Sequence, residues 1–207
     1  MFKTRFLVAA VMMAGLALAG CSKGGAGAAG SSAEDMHLGD PKAKVEFIEY
    51  ASASCPHCAR FNNDVFPTFK AKYIDTGKVH YTFKEFLTAP ENVAAASFLL
   101  ARCAGKDEKY FQVLDSVFKN QTEMFQSGDF RGGLLRIAQS AGMTEQQFTT
   151  CISDEAANKA LSARVQKHAT EDKISSTPTF VVNGEKIKEG EITMPELDAA
   201  MAKAGVK

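Results

Sequence analysis

Residues 45–58 constrain the fold more than any other stretch of this chain. They read Val-Glu-Phe-Ile-Glu-Tyr-Ala-Ser-Ala-Ser-Cys-Pro-His-Cys. β-Branched and aromatic side chains dominate residues 45–50, the composition of a central strand. Residues 52–55 form a short loop, and Pro56 stands where a helix begins, because proline lacks the N–H that a first helical turn leaves unsatisfied. The helix continues through Phe61, Val65 and Phe69 toward Tyr73. A strand therefore feeds almost directly into a helix that carries two thiols at its start.

The remaining patterns complete an α/β order. Residues 79–86 form a second strand, with Val79, Tyr81, Phe83 and Glu85 sharing a face. From Pro90 and Asn92 to about Asp172 the apolar residues recur at spacings of three and four, as in Phe111, Leu114, Val117 and Phe118 or Leu134, Leu135 and Ala138, so this region is helical. Thr144 and Gln147 read as a capping box before Phe148 and Cys151. Beyond Pro178, residues 179–182 are a strand, Asn183-Gly184 a two-residue hairpin turn, and residues 185–188 an edge strand. Thr193-Met194-Pro195-Glu196 opens a last helix to Ala204. The chain divides into a first α/β part at 38–89, a helical insertion at 90–172 and a second α/β part at 173–207.

Upstream of this lies an export signal. Lys3 and Arg5 precede an apolar run over residues 6–20 that is too short and too rich in Ala and Gly to span a membrane comfortably, so residues 1–20 read as a signal peptide. Leu18-Ala19-Gly20-Cys21 resembles the bacterial lipobox, which implies that Cys21 is acylated and that the protein is a lipoprotein. Each buried acyl CH₂ contributes about 0.8 kcal/mol, so more than one chain gives durable anchoring of a globular domain. Residues 21–37 then read as the lipidated cysteine and a Gly/Ala/Ser tether, of composition unable to bury a core. Removing residues 1–20 takes away two positive charges and shifts the balance from 24 − 24 to 22 − 24. No basic block remains, which argues against nucleic acid as a partner.

Five cysteines are odd for an exported protein until Cys21 is assigned to lipid; four then remain for two pairs. An oxidising compartment lets disulfides persist. Cys55 and Cys58 are the obvious first pair, and Cys103 and Cys151 are left for each other. A 103–151 bridge spans 48 positions and, through lost chain entropy, contributes about 4 kcal/mol. The other readings of Cys103 and Cys151 are two buried small hydrophobes or a second redox couple.

Cys55-Pro56-His57-Cys58 meets the needs of a redox disulfide. With a helix starting at Pro56, Cys55 lies at its N-cap side, where free N–H groups and the helix dipole favour a thiolate. Cys58 lies one turn later, able to resolve a mixed disulfide while less exposed. His57 adds donors or positive charge beside the sulfur and further stabilises the reduced form. Zinc would need four ligands where one Cys-x-x-Cys is present, c-type haem would need His in place of Ala59, and a structural bridge across one turn would add little stability.

Residues 38–61 and Thr177-Pro178-Thr179 resemble the DsbA-like branch of the thioredoxin superfamily, and the resemblance extends over nearly all of residues 38–204. It implies a thioredoxin fold with an inserted helical domain and an oxidoreductase that oxidises dithiols in exported proteins without a cofactor. It also implies that Pro178 is a cis proline facing the redox pair, with Thr177 exposing backbone groups to an extended substrate. Thr177 departs from the best-known oxidases, which carry Val there, and Thr also occurs in the disulfide-isomerase branch. Glu49, six residues before Cys55, occupies the position of a buried acid that accepts the Cys58 proton; the bland alternative is a strand-end acid facing water. His37, His80 and His168 show no metal-ligand spacing and read as surface or strand-end residues. The expected partners are reduced or unfolded exported proteins and a membrane redox partner, either a DsbB-like oxidant or a DsbD-like reductant, in the bacterial periplasm. The alternatives are a disulfide reductase or isomerase, and a non-catalytic lipoprotein chaperone.

Overall fold

The computed structural model describes residues 34–206. The signal peptide, Cys21 and the tether as far as residue 33 lie outside those residues. Five strands form one sheet: β1 (Met36–Leu38), β2 (Val45–Ala51), β3 (Val79–Glu85), β4 (Thr179–Val182) and β5 (Glu185–Glu189), in the spatial order β1-β3-β2-β4-β5. β2 and β3 run parallel, pairing Val45 with Val79 and Ala51 with Glu85. β4 lies antiparallel on the other edge of β2, pairing Glu49 with Phe180 and Tyr50 with Thr179. A central strand covered on both faces needs a near-continuous apolar run, which residues 45–51 supply.

A parallel pair requires a crossover, and the helix after Cys55 provides it. It comprises α1 (Pro56–Arg60), a π-helical stretch over Phe61–Val65, α2 (Phe66–Phe69) and a second π-helical stretch over Lys70–Ile74. The regular ladder gives way beside Pro67, which has no N–H to donate; the N–H of Phe66 bonds the carbonyl of Phe61, five residues back. Between β3 and β4 lie α3 (Glu91–Ala104), α4 (Glu108–Ser127), α5 (Phe130–Ser140), α6 (Glu145–Ile152) and α7 (Glu155–Thr170), and α8 (Met194–Lys203) follows β5. Capping boxes open α6 at Thr144 and α8 at Thr193, where the sequence places them.

The main core lies on the face of the sheet that carries Phe47, Tyr81, Phe83 and Phe180. Aromatic rings link it: Phe47 to Phe69 at 4.6 Å between centroids, Phe61 to Phe180 at 4.7 Å and Phe66 to Tyr81 at 4.9 Å. A smaller cluster of Ile48, Tyr50, Ile174 and Val181 closes the opposite face. Glu85, at the end of β3, is buried and clamped by Arg102 Nε at 2.7 Å and Arg164 Nη2 at 2.9 Å, with the Tyr110 hydroxyl donating at 3.1 Å. One carboxylate thus ties α3, α4 and α7 to the sheet.

Two expectations from sequence are corrected here. The tether does not run through residue 37: Met36–Leu38 pairs with the open edge of β3, and Asp35 and Met36 are buried. Three residues are too few to show an alternating pattern, so this strand exists through its partner edge. His168 is no surface residue. It is buried, its Nδ1 lies 2.9 Å from the Glu85 carbonyl, and its burial holds it below the ordinary histidine range.

Candidate active site

The loop between β2 and α1 is held from three sides. The Cys55 N–H donates to the Ser52 carbonyl at 3.0 Å. The Ser52 hydroxyl oxygen accepts from the Ser54 N–H at 3.3 Å, the Thr88 N–H at 3.1 Å and the Thr88 hydroxyl at 2.9 Å. The Ser54 hydroxyl donates to the Pro90 carbonyl at 3.1 Å, in a segment whose Ala89–Pro90 peptide is cis. From α4, Gln121 Nε2 donates to the carbonyls of Ala53 at 2.8 Å and Cys55 at 3.2 Å.

Cys55 is the N-cap of α1, with φ −83° and ψ 121°, and Pro56 takes the first helical position. Its Sγ accepts from the Cys58 N–H at 3.4 Å, which answers one of the unsatisfied donors of the first turn. Both thiols are free; Cys55 keeps 6% of its surface exposed and Cys58 none, so an incoming sulfur meets Cys55 first. Bonding from the Cys58 thiol, helped by the nearby Thr177 side chain and the N–H groups of Cys58 and His57, outweighs burial and brings the Cys55 thiol down to about 6. Burial pushes Cys58 well above the ordinary thiol range, and the charges of Cys55 and Glu49 add to it.

Glu49 is on β2, buried, with the Tyr81 hydroxyl donating to its Oε2 at 2.6 Å. Burial pushes its carboxyl up to about 8; the Tyr81 bond opposes the rise and the Cys55 charge adds to it. The bland alternative of a solvated strand end does not describe this carboxyl. At neutral pH it holds a proton beside the buried Cys58 thiol, a group able to give and take one.

The Thr177–Pro178 peptide is cis and faces the Cys55–Cys58 pair: the Thr177 carbonyl lies 3.4 Å from Cys55 Sγ. The Thr177 hydroxyl is buried with no hydrogen-bond partner among the described residues, and its nearness to the sulfur favours the anion. The Gly190 N–H donates to the Pro178 carbonyl at 2.8 Å, which seats the start of the β5–α8 loop beside the cis proline. Glu191 of that loop lies 2.6 Å from His57 Nδ1 and also pairs with Arg60. The His57 ring is thus engaged at the exposed rim, and it is the His57 backbone N–H that serves the sulfur. Cys103 and Cys151 lie away from the pair and are bonded to each other, with Cα atoms 6.1 Å apart, joining α3 to α6.

Sequence reasoning missed Gln121, Tyr81 and Glu191. Gln121 carried a legible signal, since it lies on the apolar face of α4 between Val117 and Met124. Tyr81 and Glu191 carried none, because their partners are 32 and 134 positions away. Among the described residues no group of three or more His, Cys, Asp or Glu is placed to hold a metal, and no helix is long and apolar enough to cross a membrane.

A strand ending on a Cys-x-x-Cys helix N-terminus, faced by a cis proline that opens an antiparallel strand, is the arrangement of a thioredoxin-fold protein. A sequence profile of the Thioredoxin family matches residues 31–203, and the chain belongs to that family. Within it the chain is DsbA-like: it superposes on alpha-DsbA1 of Wolbachia pipientis with TM-score 0.77 at 30% identity, covering 84% of this chain and 93% of that one. BdbD of Bacillus subtilis shares the fold at TM-score 0.66 and 24% identity, over 82% of this chain and 92% of that one. In sequence the chain is 34% identical over 170 residues to a Rickettsia bellii protein named "Putative protein-disulfide oxidoreductase", over 82% of this chain and 64% of that one. The chain therefore spans less than two thirds of the length of that curated relative.

Proposed function

We propose that the protein is a thiol–disulfide oxidoreductase acting as a DsbA-like oxidase of exported proteins, with Cys55 and Cys58 as its redox pair. The observation that carries this reading is the Cys55 sulfur at the N-cap of α1, brought down to about 6 and faced by the cis Thr177–Pro178 peptide. In the oxidising direction, a substrate thiolate attacks Cys55 of the disulfide, a substrate–Cys55 bond forms, and the Cys58 sulfur leaves with the electron pair. Glu49 supplies the proton that Cys58 takes up, and recovers it in the reverse direction. A second substrate thiolate then attacks the substrate sulfur of the mixed disulfide and releases Cys55. The substrate loses two electrons and the pair gains them. A thiol of low pKa is the better leaving group, which favours this direction.

Pro178 and the Thr177 backbone support an extended substrate segment beside the sulfur, and Phe125, 39% exposed one turn beyond Gln121 on α4, offers apolar surface on the helical segment. His57 shapes the rim through Glu191, and the Cys103–Cys151 bond acts as a structural brace. Residues 1–20 direct export, acylated Cys21 anchors the domain to a membrane in the periplasm, and a DsbB-like membrane oxidant regenerates the disulfide. Residues 38–89 and 173–207 make the thioredoxin part and residues 90–172 the helical insertion. The Thr177 hydroxyl favours a second reading, a reductase or isomerase served by a DsbD-like donor.

Oxidation of a reduced dithiol peptide by the purified disulfide form tests the activity, and equilibration against glutathione tests its direction. The oxidase reading expects the wild type to oxidise the peptide, Cys55→Ser to abolish turnover, and the pair to be reduced by mild glutathione. A Cys55→Ser variant with full function would leave a client-binding scaffold instead. A potential near that of cytosolic thioredoxin would assign the reductase direction. For the anchor, Cys21→Ala should release the protein from membranes and abolish labelling by a palmitate analogue.

A further inference from the structure

Gln121 is a buried amide on the apolar side of α4, flanked one turn away by Val117 and Met124, each 1% exposed. A leucine there would satisfy the helix and the core equally well. Burying an unpaired amide is costly, so this one must be matched, and both partners it finds are backbone carbonyls of the loop that delivers the nucleophilic sulfur: Ala53 at 2.8 Å and Cys55 at 3.2 Å. One NH₂ group with two protons can serve both acceptors at once. We infer that Gln121 is a positioning residue through which the helical segment holds the Cys55 peptide in its N-cap conformation and thereby sets the poise of the redox pair.

The Cys55 N–H is held by Ser52 and its carbonyl by the Ala59 N–H at 3.1 Å, the first bond of the helix. Ser52 also holds the Ser54 N–H, and Gln121 meets the Ala53 carbonyl on the other side of that same peptide plane. The Gln121 bonds tie the carbonyls on either side of Ser54 to one rigid helix, so the peptide planes cannot rotate independently. The ψ of 121° that aims Sγ at the Cys58 N–H is kept. The amide protons also occupy carbonyl lone pairs that would otherwise lie, without a counter-dipole, close to a sulfur anion. Replacing the amide with an apolar group takes the donor from the Ala53 carbonyl and leaves the Cys55 carbonyl with the Ala59 N–H, so the Ala53 carbonyl gains a new donor only by turning.

This inference rests on the exchange reading, and the test keeps the two separable because it reads a thiol titration as well as turnover. Iodoacetamide trapping of Cys55 is followed across pH in wild type, Gln121→Met, Gln121→Glu and a control core variant on α8, Leu197→Ala. Gln121→Met should raise the trapping midpoint by about one unit, seen as about tenfold slower trapping near pH 5 with little change near pH 8. Gln121→Glu, whose ionised form opposes both carbonyls, should raise it further. Leu197→Ala, a buried core truncation on α8, should leave the midpoint at the wild-type value. Gln121 variants that are less stable yet titrate like wild type would reduce the residue to a packing role and overturn the inference. If neither variant folds, the wild type decides: its Gln121 side-chain N–H resonances should shift with pH at the Cys55 midpoint, and constant resonances overturn the proposal. A wild type that titrates as expected but oxidises no dithiol sinks the exchange reading alone.

Discussion

Cys55 and Glu49 are displaced in opposite directions, one down to about 6 and the other up to about 8, and the consequences for stability are opposite too. A thiol lowered in the folded state contributes stability that is complete above its unfolded pKa and is lost as pH falls through about 6. A carboxyl raised in the folded state does the reverse: the folded protein holds a proton that the unfolded chain has released, so stability falls as pH rises from about 4.5 to about 8. In the dithiol form the two slopes oppose each other between about pH 6 and 8. Glu49→Gln should remove the falling slope, leaving the dithiol protein more stable than wild type at about pH 8 by a few kcal/mol and little changed near pH 4. Cys55→Ser should remove the rising slope, so its stability declines across the same window. Urea unfolding at a series of pH values reads both, and parallel profiles for wild type and Glu49→Gln would reject the raised carboxyl. At this scale Cys55, Cys58 and Pro56 were plain in the sequence, because a first helical turn chooses its residues locally. The state of Glu49 was not, because it depends on the Tyr81 hydroxyl and on burial from both faces of β2.

Among the elements, the helices between β3 and β4 were legible from their three-and-four spacing and from the Thr144 capping box, while the Asp154 N-cap of α7, whose side chain accepts from the Ala157 N–H, was not read. Their attachment to the sheet was not. Glu85 looks like the alternate member of a strand face, yet it anchors two arginines from helices 17 and 79 positions away. Arg164 is 12% exposed and Glu85 1%, so the charges are paired where water cannot replace either partner. Glu85→Ala should therefore cost about 3–5 kcal/mol by leaving two guanidinium groups unmatched, measured by urea unfolding. The double replacement of Arg102 and Arg164 by methionine in the Glu85→Leu background should recover much of that loss, because an apolar set replaces the ionic one as a whole. A Glu85→Ala loss below about 1 kcal/mol would mean that water already reaches the clamp. The same distinction explains β1 and the π-helical stretches: β1 is made by the edge of β3, and the stretches by how Pro67 is accommodated against the sheet.

For the whole molecule, the stabilised thiolate links folding to redox state. Whatever favours the Cys55 anion in the folded dithiol form makes closing the Cys55–Cys58 bond less favourable in the folded than in the unfolded chain. The dithiol form should accordingly unfold at a higher temperature than the disulfide form at about pH 7, and the gap should widen toward about pH 9 and shrink as pH falls toward and through about 6, where the anion is lost. Differential scanning calorimetry on both forms reads this directly. A disulfide form that is the more stable of the two at about pH 7 would contradict a strongly oxidising pair.

Local rules were sufficient for much of this protein. A run of β-branched and aromatic residues, a proline at a first helical turn, two thiols one turn apart and an Asn-Gly hairpin each depend on neighbours in the chain, so their structure and the thioredoxin-like order could be read before any coordinates. Contacts between distant positions followed another logic. The seat of Gln121 under Ala53 and Cys55, the bond from Tyr81 to Glu49, the clamp on Glu85 and the burial of His168 pair residues 17 to 83 positions apart. Such pairs come into being when the helices dock on the sheet, and low local dielectric then assigns each group its charge. That is why a thiol at the helix N-cap was visible in the chain, while its protonation and its support had to come from packing.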